Sequence, residues 1–94
     1  MQQLKPYALM NLEERATWDH RAAQMMEKIG GGFAAALALA YFRGDGTNQA
    51  RILGAFGDLF DLYRNRAFEQ LALEEQALTA QAAQAAQAAQ AAQE

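Results

Sequence analysis

The sequence predicts an all-α fold, a small helical bundle of about four helices with a long projecting C-terminal helix. Three observations carry it. Residues 11–29 repeat apolar and polar positions with the period of an amphipathic helix. Residues 33–42 hold no polar side chain except the Tyr41 hydroxyl. From Asp58 onward, helix-forming residues run almost unbroken into four Ala-Ala-Gln repeats at 82–93.

The pattern divides the 94 residues into an extended N-terminal arm (1–10), a helical bundle domain (11–75) and a low-complexity Ala/Gln helical tail (76–94). The arm is expected to fray at its start and to lay Leu4, Tyr7, Leu9 and Met10 against the core. Pro6 disfavours helix at Lys5. Only about 75 residues can build a core, and a core of that size supplies about 3–5 kcal/mol. Cysteine is absent, so no disulfide adds to it.

The first helix is expected to begin at Asn11. Asn is a favoured N-cap, and Glu14 stands three residues on, at capping-box spacing. Glu13 and Glu14 oppose the helix dipole, Lys28 suits the last turn, and Gly30 supplies the stop. Arg15 and Asp19 fall on the apolar face, four residues apart, and read as an ion pair with each other. Gly30-Gly31-Gly32 then gives freedom or close approach. A phosphate loop would want Lys-Ser or Lys-Thr after the glycines, and Phe33 follows instead.

The second helix, about 32–43, reads as the centre of the bundle, since a short helix apolar on every side belongs in a core. Gly44-Asp45-Gly46 signals a turn, with Thr47 or Asn48 capping the third helix. Ile52, Leu53 and Phe56 form its stripe. Gly57-Asp58 either breaks or kinks the chain before Leu59, Phe60 and Tyr63. Beyond that, Phe60, Ala67, Leu71 and Leu78 keep one stripe on a fourth helix. In the tail the three-residue repeat spirals glutamine round the axis. It is read as leaving no apolar face and no coiled-coil seam.

The inventory of reactive groups points away from catalysis. Serine is absent along with cysteine, His20 is the sole histidine, and Glu13-Glu14 and Glu74-Glu75 are neighbours that diverge on a helix. No metal or cofactor is expected. Asp45, Thr47 and Gln49 open like a calcium loop, but Ala50 and Phe56 stand where that loop needs Gly and Glu. A formal charge of −3 does not favour nucleic acid. No apolar run is long enough to cross a membrane, and no leader-like segment opens the sequence.

Gly32-Phe33, Ala40-Tyr41-Phe42-Arg43, Asp45, Asn48, Arg51-Ile52, Ala55-Phe56, Asp58-Leu59-Phe60 and Tyr63 together resemble a segment of short, mostly uncharacterised proteins of tailed phages and prophages. Gly57 stands where those proteins are expected to carry proline. The resemblance covers about a third of the chain and implies a phage origin and a compact helical unit. It implies no activity.

The expected function is that of a small non-enzymatic interaction protein, phage- or prophage-encoded, acting in the host cytoplasm. It would bind a host or phage protein, and a homodimer is one form open to it. Its candidate interface is Trp18, Met25, Met26 and Phe68, large apolar groups of the kind interfaces favour. The alternative is a nucleic-acid-binding accessory protein using Arg43, Arg51, Arg64 and Arg66.

Overall fold

The computed structural model describes residues 3–93. Four α-helices follow a short 3₁₀ turn at Tyr7–Leu9: α1 (Leu12–Ile29), α2 (Gly31–Arg43), α3 (Gly46–Ala55) and α4 (Gly57–Gln93). No strand occurs among the described residues. The expected fraying at Met1 and Gln2 lies outside them.

Local signals set the helix ends. The Asn11 side chain accepts from the Glu14 backbone N–H at 2.8 Å, and the Glu14 carboxylate accepts from the Asn11 N–H at 3.1 Å. This is the capping box in full. That backbone donor, helped by Lys5 at 3.2 Å, holds the Glu14 carboxyl below its ordinary pKa. The cap of α3 is Asp45, which accepts from the Asn48 N–H at 2.9 Å, rather than Thr47 or Asn48. Gly46 occupies the first helical position, so the capping side chain must come from the residue before it. At Phe56 the backbone leaves helical geometry (φ −123°, ψ 34°), so the chain breaks between α3 and α4 rather than kinking.

The core is Ala22, Ala23 and Met26 of α1, Ala34, Ala38 and Tyr41 of α2, and Phe60 of α4. Ile52 and Leu53 of α3, and Phe56 just after it, lie partly buried against it. The central helix is α1, which packs extensively on both α2 and α4; α3 leans on the other two. This corrects the expectation for α2. Ala22 and Ala23 lack the bulk to hold neighbours off, so two helices close on α1. In α2, only Ala34, Ala38 and Tyr41 at helical spacing are buried. Leu39 is 45% exposed and Phe33 66% exposed.

Asp19 of α1 meets Arg64 of α4, and Lys28 and Glu74 both line the groove farther along, so the two helices run the same way. At about 1.5 Å per residue the 37-residue α4 is about 55 Å long, and the molecule measures 62 Å along its longest axis. All residues from Leu73 to Ala89 are exposed, so the last part of α4 projects beyond the bundle.

Candidate protein-interaction surface

The arm is fastened by a polar knot. The Tyr7 hydroxyl donates to Asp19 Oδ2 at 2.7 Å, and Arg64 bonds both Asp19 and Asp61. Asp19 and Arg64 are almost fully buried. A buried carboxylate and guanidinium persist only as a well-bonded pair. The Tyr7 ring lies 4.0 Å below the Arg64 guanidinium and 5.1 Å from that of Arg15. Burial, then the hydrogen bond to Asp19, pushes the Tyr7 phenol up to about 12.

Arg15 does not pair with Asp19, as its spacing suggested. Its guanidinium donates to the carbonyls of Tyr7 and Ala8 at 3.1 Å each, satisfying the turn that brings the arm in. The two residues share a face, but each finds a more distant partner from the arm or from α4.

The four candidate interface residues separate. Met26 is fully buried and belongs to the core, because α2 and α4 both close over that side of α1. Trp18 and Phe68 are half-buried against one another, with ring centroids 6.0 Å apart, and Arg21 stacks on the indole at 4.9 Å. Met25 is half-buried as well. It lines a shallow groove of about 320 Å³ between α1 and α4, with Ala67 and Leu71 beside it and Arg21, Lys28 and Glu74 at the rim.

The arginine patch also changes. Arg64 is buried in its ion pairs and cannot reach a ligand. Its place on the Phe60–Ala67–Leu71 stripe was the signal for this, since a charge at core spacing needs a buried counter-charge. Arg43 ends α2, Arg66 stands exposed on α4, and Arg51 bonds Asn48. Among the described residues, no group of three or more His, Asp or Glu side chains converges as a metal site. His20 is exposed and packs edge-on to Phe42 at 5.2 Å. Gln49 donates to the Tyr41 carbonyl.

Sequence reasoning missed the apolar corner where α1 turns into α2. Ile29 is 59% exposed and Phe33 66%, and Phe33 touches Phe56 only edge-on, with ring centroids 5.8 Å apart. Leu73 and Leu78 are equally open on the nearby projecting part of α4. Comparison with protein-family models, curated proteins and solved structures finds no match to this chain. No helix among the described residues is long and apolar enough to cross a membrane.

Proposed function

We propose that this is a non-enzymatic interaction protein, encoded by a phage or prophage, that binds a host or phage protein in the host cytoplasm. The observation that carries this reading is the Ile29–Phe33 corner. Two large apolar side chains stand mostly open where a small domain could have placed polar ones. Aromatic anchors of this kind, once covered, supply much of the energy of a protein contact. The phage assignment rests on the resemblance of the segment from Gly32 to Tyr63.

The alternative, contact with nucleic acid through arginine, loses Arg64 to the buried ion pair and has no further observation in its favour.

The test compares capture from host lysate by the wild-type chain and by Phe33→Asp, followed by titration of the purified captured protein. Phe33 is exposed enough for the variant to fold, which circular dichroism checks. A partner held by the wild type and at least tenfold weaker for the variant supports the reading. Equal binding by both chains would sink it. So would capture only of nucleic acid that is lost steeply as salt rises.

A further inference from the structure

We infer that the projecting part of α4 pairs with the same segment of a second copy of this chain, antiparallel and about a two-fold axis. The inference rests on the reading of the chain as an interaction protein, but it concerns a different surface from the Ile29–Phe33 corner.

One face of α4 changes its surroundings without changing its character. At 100° per residue, Phe60, Arg64, Ala67 and Leu71 fall within a sector of about 60°. Phe60, Arg64 and Ala67 are buried and Leu71 is half-buried. The same sector continues as Leu78, Ala82, Ala85 and Ala89, all exposed. Between the two stretches Glu74 and Glu75 flank the sector, each about 20° outside its edge, and Glu74 also lines the α1–α4 groove. Gln81, Gln84 and Gln87 fall outside the sector. This corrects the expectation that the glutamine spiral leaves no apolar face. Over so few repeats the spiral does not complete its circuit, and α4 is one continuous helix, so the open sector joins the core-facing one. From Leu78 to Ala89 the steps are four, three and four residues, the spacing of a helix-pairing seam.

Three features favour a second copy. The seam is complementary to itself: in an antiparallel pair centred between residues 78 and 82, Leu78 of each copy meets Ala82 of the other, and Leu71 meets Ala89. Each large side chain then faces a small one, as a two-fold contact requires. Charge fixes the direction. Between Arg66 and Gln93 the only charged side chains are Glu69, Glu74 and Glu75. A parallel pair would set each glutamate beside its own copy. The antiparallel pair sets Glu75 beside Ala85 and the two Glu75 side chains about 15 Å apart along the axis.

The third feature is area. The overlap from Leu71 to Ala89 is about 28 Å long and buries on the order of 1,000 Å² in total, the lower edge for a specific interface. The partner's residues 86–89 also enter the mouth of the groove lined by Met25, Ala67 and Leu71. The pair is therefore a weak, concentration-dependent dimer.

Sedimentation equilibrium on the full chain, from roughly 10 µM to 1 mM, tests it. The expected result is a rise toward twice the chain mass. Leu78→Glu and Ala85→Glu should each weaken association at least tenfold. Ala83→Glu, on the opposite side of the helix, should leave it unchanged. All three positions are exposed, so helical content is expected to hold. The chain has no cysteine, which makes the geometry readable by oxidation. The double variant Leu78→Cys/Ala82→Cys should form a covalent dimer, and either single variant should not.

A monomer across the whole range overturns the inference and leaves this face to a different partner. Equal sensitivity at 83 and 85 overturns the seam. Efficient cross-linking by Leu78→Cys alone overturns the antiparallel arrangement. A monomer whose partner capture is still lost in Phe33→Asp would refute the dimer while supporting the proposed function.

Discussion

Tyr7 sits between two guanidinium groups with its hydroxyl on Asp19, so one residue of the arm closes the knot that joins the arm, α1 and α4. Its phenol is pushed up to about 12, first by burial and then by the bond to Asp19. An unfolded tyrosine titrates near 10. The folded state holds the proton more tightly, so the stabilisation is complete below about pH 10 and is lost as the pH climbs through about 12. Tyr7→Phe keeps the ring and removes the hydroxyl. Urea unfolding near neutral pH is expected to show a loss of about 1 kcal/mol. The fall in stability between about pH 10 and 12 should also become shallower. Some slope will remain, because burial and the nearby Asp19 charge raise the Tyr41 phenol as well. An alkaline slope identical to the wild type would show that Tyr7 does not hold the arm in this way.

The α1–α2 corner shows what a single element demands of its residues, because two of its three glycines meet different constraints and the third meets none. A Cβ on Gly30 would stand 2.5 Å from the Met26 carbonyl oxygen and 2.6 Å from the Ala34 Cβ, so the helices could not approach as they do. Gly31 has φ +76°, a left-handed conformation that costs other residues about 1–2 kcal/mol. Gly32 lies in the first turn of α2 with nothing within 4 Å of an added Cβ. Gly30→Ala and Gly31→Ala are each expected to destabilise by about 1–3 kcal/mol. Gly32→Ala should stabilise by up to about 1 kcal/mol, by restricting the unfolded chain. Denaturant midpoints at constant slope rank the three, and a destabilising Gly32→Ala would contradict this account. The run was legible as a stop with freedom or close approach. The division of labour within it was not, since it depends on where Ala34 returns. Asn11 and Glu14 were fully legible, because a cap is a local arrangement of four residues. The centrality of α1 was not. Apolar content says how much surface a helix can bury, but the connections decide which helix receives two neighbours, and α2 receives them on one side only.

At the scale of the whole molecule, the fold has two parts held by different forces. The bundle is closed by the Ala22–Met26 face, Phe60 and the Asp19–Arg64 pair, all of which lie before Leu71. Among the described residues, the projecting part of α4 is exposed from Leu73 to Ala89; a run of alanine and glutamine holds helix by propensity, which is marginal for so short a segment alone. Deleting residues 80–94 is therefore expected to leave the melting temperature of a dilute sample within about 2 °C of the full chain, since little buried surface is removed. The two chains should diverge as concentration rises. Pairing that requires the folded chain raises the melting temperature of the full chain with concentration, by mass action, and the truncated chain lacks the seam that does so. Differential scanning calorimetry across a hundredfold concentration range separates the contributions. A large drop on truncation in the dilute limit would mean that the tail folds back on its own bundle. Parallel concentration dependence in both chains would place any self-association elsewhere, with the Ile29–Phe33 corner as the next surface to vary.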